Sequence, residues 1–418
     1  MDDTGASREW FADGASEETP DRVVCHVDMD CFYAACERLR EPALRGEPVV
    51  VGMGYEPGET DGAVATASYE AREFGVESAQ AISTALEALP RKIEAANDPD
   101  LSVENAGFYR PVEMEFYESV AAEVKEILQE RAETVREVSI DEAYLDATAV
   151  GWAGAREFAR DLKRDIAREV GVTASVGVAP TMSAAKVASD RDKPDGLVVV
   201  EPGEVRDFFA PLGVEAVHGV GPVTAGELRG MGIETAGDLA AADPERLAER
   251  FGERGLVVRR YARGEDDRAV EPTGKPKSFS RESAFSEATA DPDRQRERVR
   301  TLAGAVADRA DRRGVLYQTI GVKAVEPPFE VNTRAESLPG PVADADLVEE
   351  TALSLFEEFA GEPVRKVGVR VSKLSFADRD QASLDSYAGD GNSPTEKEGA
   401  AADDPAGDGR GQWSLEDF

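Results

Sequence analysis

Residues 136–146 (REVSIDEAYLD) change their alternation midway, and this constrains the fold more than any other feature of the chain. Val138 and Ile140 fall on even positions, Ala143 and Leu145 on odd ones. Strand side chains alternate with a period of two, so a parity break marks a reversal. The reading is two antiparallel strands with a tight turn at Asp141 and Glu142. Upstream, residues 22–28 (RVVCHVD) read as a buried strand. Val23, Cys25 and Val27 share one face; Val24, His26 and Asp28 share the other. Residues 112–133 carry an amphipathic helical pattern, 155–169 are again helical, and 172–178 alternate as a strand. Strand, helix, hairpin, helix, strand is the order of a ferredoxin-like βαββαβ sheet. In that order the first strand neighbours the hairpin, which brings Asp28 towards Asp141 and Glu142.

The other segments arrange themselves around this sheet. Residues 40–110 form a smaller insertion with short strands at 48–51 and 63–66, followed by a helix that Ser68 caps and Gly75 ends. Residues 200–266 read as short helices with Gly-rich breaks. Residues 267–279 (DRAVEPTGKPKSF) read as a linker. Residues 280–376 give strand, helix 292–313, strands near 315–325 and 329–337, helix 344–360 and strand 364–374, a second small α+β domain. Residues 1–21 and 377–411 are poor in large apolar residues and read as disordered.

The formal net charge is −36. Such a surface suits a salt-loving source, where self-repulsion is screened. The charge is uneven: residues 275–376 hold 16 Lys and Arg against 17 Asp and Glu, the best candidate for a nucleic-acid-facing block. The three cysteines, Cys25, Cys31 and Cys36, form no zinc-type pair and fit a reducing interior. No signal-like start and no run of about 18 apolar residues is present, so a cytoplasmic chain with no membrane association is expected.

Converged carboxylates stay ionised only beside cations, and hard oxygen ligands next to phosphates are the usual setting for Mg²⁺. Spacing alone leaves open that these are three ordinary acids among 84. Four linked runs decide otherwise: VDMDCFYAACE (27–37), GAVATASYEAREFGV (62–76), SIDEAYLD (139–146) and KVASDRDKPDG (186–196). Together, and in this order from about residue 23 to 376, they resemble the motif set of the Y-family translesion DNA polymerases of the DNA polymerase IV type. With the acidic composition, the source implied is a halophilic archaeon.

The resemblance implies an α+β right-hand polymerase: palm at 22–31 and 111–199, fingers at 32–110, helical thumb with a helix-hairpin-helix at 200–266, and an α+β little finger at 280–376. It implies low-fidelity synthesis with two Mg²⁺ ions, and no second acidic cluster suggests proofreading. Asp28, Asp141 and Glu142 match the catalytic metal ligands, with the Met29 carbonyl. Tyr33 matches the residue that excludes a ribose 2′-hydroxyl. Phe32, Thr66, Tyr69, Arg72 and Lys186 match nucleotide contacts, and Lys193 is a weaker match that orders its loop. Gly219 and Gly221, in HGVGPVT, match a DNA-phosphate turn. In the little finger, Arg281, Lys323 and Arg370 are the expected DNA contacts, with Arg365, Lys366 and Lys373 beside them.

The partners implied are primer-template DNA, deoxynucleoside triphosphates and the sliding clamp PCNA, bound by a monomer. Gln412, Leu415 and Phe418 form the Q-x-x-L-x-x-F of a clamp-binding peptide at 412–418. The sequence departs from the family pattern in its acidic leader, in AQAIS (79–83), which lacks a usual proline, at 98–107, and at Cys31, where an aromatic is common. A non-catalytic DNA-binding relic and a metal-dependent nuclease are the competing classes. Primer extension separates the first and nucleotide-free cleavage the second.

Overall fold

The computed structural model describes residues 22–376. The chain forms two compact units that divide after Thr273.

The first unit opens with strand β1 (Val24–Met29) and helix α1 (Phe32–Arg40). An excursion follows: β2 (Val49–Met53), β3 (Ala63–Ala67), α2 (Tyr69–Arg72), α3 (Ile82–Ala88), α4 (Lys92–Ala95) and β4 (Phe108–Pro111). The chain then makes α5 (Met114–Arg131), β5 (Val135–Glu137), β6 (Glu142–Asp146), α6 (Gly151–Glu169), β7 (Ala174–Ala179), α7 (Met182–Arg191) and β8 (Leu197–Val199). The main sheet runs β5-β6-β1-β7-β8. Its first four strands are antiparallel in the ferredoxin-like order; β8 adds in parallel to β7.

The alternation of β1 assigns the two faces of this sheet. Val23, Cys25 and Val27 join Leu145, Val176, Leu162 and Ile166 in a core against α5 and α6. Val24 and Tyr144 join Ala184, Ala185 and Ala188 of α7 in a second core. Gly177, at the centre of β7, lets α7 lie close: a Cβ there would come within 2.0 Å of the Ala185 carbonyl oxygen and 2.3 Å of the Ser189 nitrogen. The expected turn is displaced. Glu142 is the first residue of β6, and the reversal occupies residues 138–141, closed by Val138 and Ser139 N–H bonds to the Glu142 carbonyl.

The excursion has its own small sheet, β3-β2-β4, over a core of Val50, Tyr55, Val64, Ile82 and Tyr109. Ser68 caps α2 as expected, its hydroxyl accepting the Ala71 N–H. That helix is shorter than the pattern suggested, with a turn carrying the chain to Gly75 at φ +82.

Residues after β8 form α8 (Val205–Phe209), α9 (Pro222–Gly230), α10 (Ala236–Ala241), α11 (Pro244–Phe251) and α12 (Glu253–Ala262). The segment expected to be a linker from 267 onwards is partly docked. The Arg22 guanidinium donates to the carbonyls of Asp266 and Arg268, Val270 is buried, and the Thr273 hydroxyl bonds the Glu137 carbonyl.

The second unit contains β9 (Ser278–Thr289), α13 (Pro292–Arg312), β10 (Tyr317–Glu326), β11 (Glu330–Val342), α14 (Ala345–Phe356) and β12 (Val364–Ser372). Its antiparallel sheet runs β11-β10-β12-β9. Val322, Val367 and Val369 pack with Val299, Leu302 and Phe356 of the helices. Lys323, Lys366 and Arg370 occupy the alternate positions of β10 and β12, facing away from that core.

Candidate active site

The register of the main sheet places Glu142, Asp28 and Ser175 opposite one another on β6, β1 and β7. They lie at one end of the face covered by α7. Asp28 is 6% exposed. Burial, with Lys193 opposing it and Glu142 adding to it, pushes the Asp28 carboxyl up to about 7. Burial alone would also raise Glu142, but Lys186 beside it brings that carboxyl down to about 2. The Lys186 ammonium is 2.5 Å from Glu142 Oε1 and 3.9 Å from Asp28 Oδ2. Lys193 is 2.7 Å from Asp28 Oδ2 and 2.9 Å from Asp190. Burial works against charge on both lysines, but the surrounding acids outweigh it and hold them protonated.

Asp141 is held differently. Its carboxylate accepts the Ser139 hydroxyl at 2.6 Å, its carbonyl accepts the Met29 N–H at 3.0 Å, and burial raises its carboxyl. The same Ser139 oxygen accepts the Glu142 N–H at 3.0 Å. Asp28 and Glu142 thus face each other across the sheet, and the charge of Glu142 also acts on Asp141 in the turn beside it. Among the described residues no group of three or more His, Cys, Asp or Glu side chains is arranged to hold a metal. Like charges repel, and here two lysines supply the counter-charge. The donor set still fits a hard divalent cation: carboxylate oxygens on β1, on β6 and on the turn before it, two of them raised by burial, with Glu142 adding to both.

The neighbouring groups follow from α1 and α2. Adjacent helical residues point about 100° apart, since 3.6 residues make a turn. Phe32 accordingly turns into the core, 1% exposed, while Tyr33 is half-buried at the edge of that core. The Phe32 ring is enclosed in that core, so a contact from this position would come from its backbone. Tyr33 stacks on Tyr117 with centroids 4.6 Å apart at 18°. The Tyr117 hydroxyl donates to Glu37 at 2.8 Å. Thr66 is half-buried on β3, opposite Val51. On α2, Tyr69 donates to Asp30 at 3.0 Å, and the Arg72 guanidinium lies 4.8 Å from the Tyr69 ring centre. Burial and the Asp30 charge hold the Tyr69 hydroxyl well above its ordinary range.

Lys193 does more than order its loop, since it pairs with Asp28 directly. Asp30, Ser139, Ser175 and Tyr117 were not singled out in the sequence. His26 is fully buried and bonded to Ser189 at 2.8 Å, and burial followed by Lys186 holds its imidazole well below the usual range, which makes it a poor proton acceptor.

In the helical region, Gly219 has φ +86 and its carbonyl accepts from Arg254 at 2.9 Å. Gly221 precedes Pro222 at the start of α9, and a Cβ there would meet nothing within 4 Å. In the second unit Arg281 is exposed, Arg370 bonds the Ser278 hydroxyl at 2.8 Å, and Lys323 bonds Glu282 at 2.8 and 3.1 Å. Lys366 pairs with the same Glu282. Gln412, Leu415 and Phe418 lie outside the described residues.

A model of the impB/mucB/samB family matches residues 27–190, and one of that family's C-terminal domain matches 276–385. DNA polymerase IV of Halobacterium salinarum (strain ATCC 29341) is 63% identical over 371 residues, 88% of this chain and 89% of that one. DNA polymerase IV of Methanoculleus marisnigri is 40% identical over 88% of this chain and 99% of its own. Among solved structures, a Y-family DNA polymerase chimera of Dbh and Dpo4 superposes with TM-score 0.73 at 27% identity, covering 85% of this chain and all of that one. The insertion ternary complex of Dbh DNA polymerase gives 0.58 at 27% identity, covering 84% and 98%.

The chain belongs to the impB/mucB/samB family, the Y-family DNA polymerases, with their palm, fingers, thumb and little-finger architecture. It is a DNA-directed DNA polymerase of the translesion, DNA polymerase IV type, from a halophilic archaeon. Dependence on a divalent metal goes with that family. No helix among the described residues is long and apolar enough to cross a membrane.

Proposed function

We propose that Asp28, Asp141 and Glu142, with the Met29 carbonyl, hold two Mg²⁺ ions beside an incoming deoxynucleoside triphosphate. The observation that carries this is the cross-strand pair of Asp28 and Glu142, with Lys186 and Lys193 as its counter-charges. When bound, the ions would supply Lewis acidity at the primer 3′-hydroxyl and neutralise charge on the departing pyrophosphate. The hydroxyl gives up its proton to solvent and attacks the α-phosphate in line, forming the new P–O bond as the bond from the α-phosphorus to the bridging oxygen of the departing pyrophosphate breaks.

The protein's residues hold and orient these groups. Glu142 and Asp28 carry negative charge to the reacting end of the primer. Lys186, kept protonated by its acidic neighbours, exchanges Glu142 for a phosphate oxygen. The first-turn N–H groups of α1, at Phe32 and Tyr33, have no intrahelical acceptors and suit the triphosphate. Arg72 adds a bidentate fork on the side of α2. Tyr33, held by its stack on Tyr117, blocks a 2′-hydroxyl, and Thr66 lines the pocket nearby.

DNA is gripped through its backbone. Gly221 supports this reading, because it is exposed at the start of α9 and no side-chain packing demands glycine there. Arg281, Lys323 and Arg370 add phosphate contacts from the little finger. The boundaries read from the sequence delimit the domains, with the palm–thumb body extended to Thr273. The enzyme works as a monomer in the cytoplasm, tethered to the sliding clamp through Gln412, Leu415 and Phe418.

Asp141→Asn tests the metal assignment by primer extension and DNA binding together. Incorporation should be lost and primer-template affinity kept. Sustained synthesis by that variant refutes the assignment.

A further inference from the structure

Glu282 lies on β9 of the second unit, on the sheet face turned away from the core, yet its side chain is only 8% exposed. Its carboxylate is shared by two lysines from two other strands. Lys323 of β10 donates to Oε1 at 2.8 Å and to Oε2 at 3.1 Å, and Lys366 of β12 pairs with Oε2. Strand β12 lies between β9 and β10, so the side chain must cross it to reach Lys323. The register puts Gly368 in that gap, opposite Glu282 on one side and Lys323 on the other. A Cβ at 368 would stand 2.7 Å from Glu282 Cγ and 3.4 Å from its Cδ. The glycine leaves a lane across the sheet, and the glutamate lies in it.

Among the described residues at the paired positions of this face, Glu282 is the one acid, beside Lys323, Lys366 and Arg370. Its two oxygens meet two ammonium groups as the two free oxygens of a phosphodiester would. The net charge of −36 cannot play this part. At about 1 M salt the Debye length is roughly 3 Å, so distant acids are screened. An acid in contact with the ammonium groups is not.

We propose that Glu282 is an internal rival of the DNA backbone phosphate. It occupies the seat between Lys323 and Lys366 in the free enzyme and yields it when a phosphate arrives. It thereby sets how tightly, and up to what salt concentration, the little finger holds DNA. This rests on the reading of Lys323 as a DNA contact.

The test is the affinity of the full chain for a labelled primer-template duplex across a series of KCl concentrations. The logarithm of that affinity falls with the logarithm of salt, with a slope set by the phosphates neutralised. Glu282→Gln should tighten binding roughly tenfold at the lowest KCl that keeps the chain folded, the effect of one charge-assisted hydrogen bond no longer broken. It should also steepen the salt slope by about one. Gly368→Ala keeps every charge but closes the lane, and should tighten binding in the same direction. Glu336→Gln is the control for net charge. Glu336 is exposed on the other face of the same sheet, paired with Ile320, and its change should stay within about twofold because salt screens it. Lys323→Ala should cost less affinity in the parent than in the Glu282→Gln background, since in the parent the lysine must first leave a carboxylate.

If Lys323→Ala weakens binding while Glu282→Gln leaves it unchanged or weakens it, Glu282 holds the lysines in place for DNA and the proposal is overturned. Equal tightening by Glu282→Gln and Glu336→Gln also overturns it, because net charge alone then accounts for the gain. If Lys323→Ala changes affinity in neither background, the reading of Lys323 as a DNA contact fails and takes the proposal with it. Should Glu282→Gln not fold, Gly368→Ala carries the comparison.

Discussion

Replacing Gly177 with alanine should disturb both the stability of the palm and its chemistry. The added methyl would sit 2.0 Å from the Ala185 oxygen, 2.3 Å from the Ser189 nitrogen and 2.8 Å from the Ala188 carbonyl carbon. All three are backbone atoms of α7, so no side-chain tip can swing aside. Overpacking costs about 1–3 kcal/mol, and a clash with helix backbone belongs at the upper end, about 3 kcal/mol. At about 2–4 °C per kcal/mol for a unit of this size, the first unit should melt about 6–12 °C lower. To relieve the contact α7 must retreat by about an ångström, taking Lys186 from the carboxylates, a misplacement able to cost about 10²-fold in rate. Thermal unfolding in concentrated KCl measures the first effect, and single-nucleotide incorporation below the transition measures the second. Gly226→Ala is the control: it lies within α9 with nothing within 4 Å of its Cβ, and should be neutral or slightly stabilising. A Gly177→Ala protein that melts with the parent and incorporates at its rate would refute the argument that this glycine sets the seat of α7.

Tyr33→Ala should raise ribonucleotide incorporation relative to deoxyribonucleotide; unchanged sugar discrimination in competition assays would take the gate role from Tyr33. Phe418→Ala should lower synthesis stimulated by the sliding clamp and leave clamp-free synthesis alone. Equal loss in both assays would count against the tether.

Much of the fold was legible because β1, β6 and β7 advertise their two faces. The alternation of Val23, Cys25 and Val27 against Val24, His26 and Asp28 matches the partition between the two cores. The hairpin was located within a residue or so, since parity reports a reversal but not which residue starts the next strand. At Phe32 the motif could not say which part of the residue is offered: neighbours on a helix point about 100° apart, and here the apolar ring turned inward. Lys193 was undervalued because its reach depends on the conformation of the loop at 192–196, which no periodicity encodes. Asp30 was hidden for a different reason. In a chain with 84 acids a single carboxylate carries no signal, and only burial distinguishes it. One clue was available for α7: a glycine inside a strand pattern, as in VTASVGVAP, often marks a close backbone approach.

The excursion between α1 and α5 leaves and returns at nearly one point. Arg110 and Glu41 pair across its two ends at 2.5 Å, and the Val112 N–H bonds the Gly52 carbonyl. Val49 and Val51 anchor its central strand in the palm core, while Val50, on the opposite side, belongs to the excursion's own core. A segment with a narrow neck and a private core behaves as a cassette. Its loops, including the altered stretch at 98–107, are free to lengthen, shorten or be exchanged for those of a relative, and the strands that carry Asp28 and Glu142 keep their register throughout.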